Sequence, residues 1–150
     1  MKKFFPFSSV LLLIPFFSFS QLQTPDASPR AKVFQKVGLV EISLDYSRPS
    51  KKGREIYGGL VPFNKIWRTG ANSPTTISFS DDIKINNELI SKGEYHLYSV
   101  PSQSSFDLAI YEKTNAWGSL SEFDESLIKA RLTSELNDLP FSVETFTISI

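Results

Sequence analysis

Residues Val40–Ser47 read VEISLDYS, and this stretch decides the fold. Val40, Ile42, Leu44 and Tyr46 fall on one side of an extended chain, and Glu41, Ser43, Asp45 and Ser47 fall on the other. Alternation sustained over eight residues predicts a half-buried β-strand, because successive strand side chains point to opposite faces. Upstream, Val33, Gln35 and Val37 alternate with Lys32, Phe34 and Lys36, and Gly38 between the two runs predicts a tight hairpin. Downstream, Thr75–Ser80 places Thr75, Ile77 and Phe79 on one face. Ile83–Ile85 and Glu88–Ile90 flank Asn86-Asn87, a pair that tolerates the positive φ of a two-residue turn. Asp81-Asp82 and Lys92-Gly93 are further turn signals. Glu94–Val100 and Phe106–Tyr111 follow as strands, Arg131–Leu136 reads as a return to strand, and Val143–Ile150 (VETFTISI) alternates again. One short helix is predicted near Ser121–Lys129, from a capping-box-like start at Ser121 and Asp124, the pair Phe123 and Leu127, and a Glu125–Lys129 ion pair. The predicted fold is all-β: an antiparallel sandwich or partly open barrel with one long structured loop and one short helix.

The chain has 150 residues, no Cys, and 16 Lys+Arg against 16 Asp+Glu. Without Cys there is no disulfide scaffold, thiolate zinc site, thiol nucleophile or lipidated Cys. Balanced charge argues against general nucleic-acid binding. Lys2 and Lys3 precede an apolar run from Phe4 to Phe19, and Ser18 and Ser20 stand at the −3 and −1 positions before Gln21. This is the pattern of a secretory signal peptide at 1–20, too short to span a membrane comfortably. The expectations are therefore a periplasmic or secreted protein, with no membrane span once the signal is removed. Its mature chain has 130 residues and a charge of −2. Residues 21–30, with Pro25 and Pro29, read as an extended lead-in, and 31–150 as a single β-rich domain. The last residue, Ile150, falls inside an alternating run, which predicts that a final strand is missing.

The segment from Tyr46 to Asn72 does not alternate. Arg48, Lys51, Lys52, Arg54, Lys65 and Arg68 stand there against one acid, Glu55, and Tyr46, Tyr57, Phe63 and Trp67 are interleaved with them. Long loops in compact domains are uncommon and often functional. Within it lie Tyr46-Ser47-Arg48-Pro49, Lys52-Gly53-Arg54, Tyr57-Gly58-Gly59-Leu60-Val61-Pro62 and Ile66-Trp67-Arg68-Thr69-Gly70-Ala71-Asn72. These motifs, with Gly93–Pro101 and Trp117-Gly118 further on, resemble a bacterial exported family catalogued only as domain of unknown function 2911. The resemblance runs from about Gln23 to Ile150. It implies a secreted or periplasmic β-rich domain with no assigned activity, and one more strand after the position of Ile150.

Candidate ligand-binding residues are Arg48, Arg54, Tyr57, Trp67, Arg68 and Asn72. Three guanidinium groups could meet an anion bidentately, with Tyr57 and Trp67 as aromatic walls for an anionic or carbohydrate-like ligand. The same guanidiniums could instead tie the loop to backbone carbonyls or to Asp45 and Glu55, because irregular backbone needs such partners. Asn72 suits a turn. The expected function is a non-catalytic binding or interaction module for a small molecule, glycan or protein. Two alternatives stand beside it: an envelope or extracellular hydrolase using His96 with a carboxylate, and a structural domain whose loop is a clamp. No metal site, cofactor or nucleic-acid partner is expected. His96 is the sole His, and it is out of phase with Tyr95 and Leu97 on its strand.

Overall fold

The computed structural model describes residues 24–115, 120 and 123–150. The expected signal peptide, Trp117-Gly118 and the helix start at Ser121 lie outside the described residues. The fold is all-β. In chain order the strands are β1 (Arg30–Val37), β2 (Val40–Ser47), β3 (Thr75–Phe79), β4 (Ile83–Ile85), β5 (Glu88–Ile90), β6 (Gly93–Pro101), β7 (Ser105–Glu112) and β8 (Ile128–Glu135). Six of them form one antiparallel sheet in the order β1-β2-β3-β6-β7-β8, and β4 pairs with β5. The β1 and β8 edges do not meet, so the sheet is open rather than a closed barrel.

The hairpins follow their turn residues. Gly38 (φ 61°) joins β1 to β2, and Asn86 (φ 49°) and Asn87 (φ 70°) join β4 to β5. Both turns need the left-handed region that Gly and Asn enter most readily. In β2 the predicted face is the buried one. Leu44 and Tyr46 join Phe79, Leu97, Ile110 and Ala130 in the main core. The β4–β5 hairpin folds over this face through Ile83, Ile85 and Ile90, giving a sandwich-like second layer. On the opposite face Tyr98, Ala109 and Tyr111 form a smaller cluster under Ile66, Phe123 and Leu127. The polar pair Ser43 and Ser78 faces that way too, their hydroxyls 2.6 Å apart.

Two local expectations change. The helix predicted to Lys129 is a single 3₁₀ turn, Glu125–Leu127, capped by Asp124, whose carboxylate accepts from the Ser126 N–H at 2.9 Å. Pairing with β7 wins from Ile128 onward, and Ala130 and Leu132 supply the strand's own alternation. The Glu125–Lys129 pair therefore does not form. Glu125 meets Arg131 at 3.2 Å and Lys129 meets Glu112 at 2.7 Å.

The other change is at the C-terminal run. Val143–Ile150 is not a regular strand; its one bridge joins Thr145 to Ser50. Both sides of β2 are already taken by β1 and β3. The segment instead crosses the core face and sets Phe146 and Ile148 against it. The buried Tyr46 hydroxyl ties it down, accepting from the Ile148 N–H at 3.0 Å and donating to the Ile148 carbonyl at 3.3 Å.

A cleft between the 48–72 loop and the C-terminal segment

The loop that leaves β2 is stitched into the sheet on its way to β3. β3 pairs with β6 only as far as Leu97. Beyond that point Trp67 takes the vacant place, exchanging two backbone hydrogen bonds with Ser99 (2.7 and 2.8 Å), and the Asn64 N–H donates to the Pro101 carbonyl at 2.8 Å. Below this ladder the hydroxyls are internal. Thr69 donates to Ser99 Oγ at 2.9 Å, and Thr75 donates to the Thr69 carbonyl at 2.6 Å. Thr69 (φ 55°) and Asn72 (φ 61°) turn the chain through left-handed conformations. At Gly70 (φ 153°) a side chain would come within 3.1 Å of the Ser47 carbonyl oxygen. The WRTGAN run is thus a folding element: Trp67, Arg68 and Thr69 bond backbone or buried hydroxyl groups, and Gly70 and Asn72 supply the turns.

Across from the loop runs the C-terminal segment. The Lys51 N–H donates to the Glu144 carbonyl at 2.7 Å, and the Phe146 N–H donates to the Pro49 carbonyl at 2.9 Å. Between the two lies a cleft of about 680 Å³, lined by Tyr57, Leu60, Trp67, Phe141, Val143 and Phe146 among others. The aromatic rings form a chain of edge contacts: Tyr57 to Trp67 at 6.0 Å, Trp67 to Phe146 at 5.1 Å, and Phe146 to Tyr46 at 5.8 Å. Tyr57 also meets Phe106 at 5.1 Å. Partial burial pushes the Tyr57 hydroxyl above the usual tyrosine pKa. The mouth leaves large apolar side chains in water, with Phe141 67% and Leu139 62% exposed.

The six candidate residues do not stay together. Arg54, Tyr57 and Trp67 line the cleft, whereas Arg48, Arg68 and Asn72 do not. Arg48 donates to the Phe146 carbonyl at 3.1 Å and to Thr147 Oγ1 at 2.8 Å. Arg68 donates to the Asn72 carbonyl at 2.7 Å. Arg54 donates to the Lys51 and Ser50 carbonyls at 3.0 and 2.8 Å. Asp45 is engaged by Arg30 and Lys32 instead. The three guanidiniums therefore serve three separate pieces of backbone. Trp67 also donates its indole N–H to the Gly70 carbonyl at 3.0 Å. Lys51 and the cleft residues of the C-terminal segment were not among the candidates. For Val143–Ile150 the signal is the apolar alternation of VETFTISI, which marks a buried face without saying what it faces; Lys51 stands in the sequence only as one of the basic residues of the 46–72 segment.

His96 sits on the second sheet face, 5% exposed, outside the cleft. Its Nε2 lies 3.0 Å from the Thr114 carbonyl, and Nδ1 is buried without a hydrogen-bond partner among the described residues. Tyr98 stands beside it at 6.2 Å. The Tyr98 pKa is raised by burial first and by Tyr111 second, with Arg68 opposing. Among the described residues no cluster of three or more His, Asp or Glu side chains could hold a metal ion, and no helix is long and apolar enough to cross a membrane.

An open antiparallel sheet whose long loop walls an apolar cleft defines the class: an all-β domain with a preformed pocket at one end. The chain belongs to the family described as a protein of unknown function (DUF2911), which matches residues 28–150. Neither a curated protein nor a solved structure matches it.

Proposed function

We propose that this chain is an exported, non-catalytic binding domain that takes a small molecule with an apolar body into the cleft between the 48–72 loop and residues 139–149. The observation that carries this reading is the aromatic-walled volume itself. Small-molecule sites are typically concave, mostly apolar and about 300–1,000 Å³ in volume, with few polar groups. Exposed apolar side chains around its mouth add to the case, since contiguous apolar surface marks interaction sites. Export rests on the signal-peptide pattern at 1–20. A hydrolase would need an acid/base pair facing the bound molecule, and His96 lies on the other face of the sheet. Arg48 and Arg68 fit the clamp reading, since both hold backbone; the clamp shapes the cleft and the two roles are compatible.

The test is titration with N-phenylnaphthylamine, a neutral dye that brightens in apolar surroundings. Saturable brightening is expected with the native protein, and at least tenfold weaker binding with Val143→Asp at unchanged circular dichroism. Val143 is 44% exposed, so the substitution adds a charge to the cleft without emptying the core. No saturable binding by the native protein would sink the reading.

A further inference from the structure

We infer that the ligand of this cleft is an amphiphilic monoanion, an alkyl or aryl body carrying one carboxylate or similar acid group. The inference rests on the cleft being a binding site and adds the chemistry of its occupant. Among the described residues, three charged ones line the cleft: Lys51, Arg54 and Glu144. Their sum is one positive charge, set in a mature chain whose overall balance is acidic. Glu144 is already engaged, its Oε1 accepting from the Lys52 N–H at 2.8 Å. Tyr57, like any tyrosine, is neutral at neutral pH and offers no competing charge.

The two cations are prepared differently. Two of the N–H groups of Arg54 go to the Lys51 and Ser50 carbonyls, which fixes the plane of the guanidinium at the cleft wall. A guanidinium has five N–H donors in a rigid fork matched to a carboxylate, so a held fork loses little freedom on binding an acid. Lys51 reaches Ser142 Oγ at 3.3 Å, a weak contact that an anion can replace. One fixed fork and one mobile ammonium suit a single acid group. A polyphosphate would need the convergent guanidinium cluster that Arg48 and Arg68 do not supply. The remaining wall is apolar, and Leu60, Leu139 and Phe141 are exposed side chains at its rim that can close over a tail.

The experiment holds the tail constant and changes the head. Decanoate, decanol, decyl maltoside and decyltrimethylammonium are titrated below their micelle concentrations by calorimetry at neutral pH. Decanoate is expected to bind about tenfold tighter than decanol or the maltoside, and the ammonium weakest. The advantage should shrink at high salt, because rim charges are screened. In the double variant Lys51→Gln, Arg54→Gln, the preference for decanoate over decanol should vanish, read as the ratio of the two affinities in the same variant. Equal affinity for all four heads, or a preference for the ammonium or the maltoside, overturns the anionic ligand class and leaves the cleft reading standing. Failure of all four to bind overturns both.

Discussion

Phe146→Ala tests whether the C-terminal segment is a structural wall of the cleft. The ring meets Tyr46 edge-on at 5.8 Å and Trp67 at 5.1 Å, while the residue's backbone bonds to Pro49 and Arg48 do not involve it. Alanine therefore removes packing and leaves the hydrogen bonds. A fully buried Phe→Ala change costs about 3–5 kcal/mol. Phe146 is only half-buried, which scales the loss to about 2–3 kcal/mol. The two edge contacts account for about 0.5–1.5 kcal/mol each within it. For a domain of this size that lowers the melting temperature by roughly 6–15 °C. Trp67 loses its neighbour, so its emission should shift to longer wavelength, read in a Trp117→Phe background. Thermal and urea unfolding followed by circular dichroism give the stability. A loss under about 0.5 kcal/mol, the range of ordinary surface substitutions, with unmoved emission would refute the packing described for Phe146.

Gly59→Ala places a carbon 2.6 Å from the Glu55 carbonyl oxygen, so the loop must shift; a loss of about 1–3 kcal/mol is expected in urea unfolding. Gly53→Ala is the control, since nothing lies within 4 Å and only its positive φ opposes the methyl group; its loss should stay near ~1 kcal/mol. Arg48→Ala removes the bonds to Phe146 and Thr147 and should lose about 1–2 kcal/mol by the same assay, with Arg48→Lys recovering only part. Tyr57 and Tyr98 titrate above the ordinary tyrosine pKa in the folded state. As pH rises past about 10, the unfolded chain sheds these protons first, so stability should fall there. The urea midpoint should drop less steeply in the Tyr57→Phe, Tyr98→Phe variant, and identical slopes would count against the raised tyrosine pKa values.

How much was legible differs by residue. Val40–Ser47 was readable because Leu44 and Tyr46 are buried on one face while Glu41 is exposed and Ser43 and Asp45 are half-buried on the other; only Ser47, buried at the strand's end, departs from the pattern. Asn86-Asn87 was readable because the turn needs what those residues permit. Phe123 and Leu127 misled: four-residue spacing fits a helix, but the period-two run of Ile128, Ala130 and Leu132 overlaps it, and the ladder to β7 supplies more backbone bonds than a short helix could. In Val143–Ile150 the alternation was real, yet an apolar face reads the same in a strand and in a strap laid across a sheet. The guanidiniums show the limit most plainly. Arg48, Arg54 and Arg68 are close in sequence and similar in chemistry, but which carbonyl each meets depends on a segment about a hundred positions away for Arg48 and on local turns for the other two.

The way Trp67 joins the sheet makes the two jaws of the cleft mechanically unequal. One jaw shares the β6 ladder through Ser99, so moving it means breaking the central sheet. The other is attached near Ser50 and Tyr46, and from Leu139 to Val143 it lies largely outside the core. The second side can then peel back while the first keeps its alignment. Amide exchange would register this as slow protons at Trp67 and Ser99 facing fast ones at 139–143.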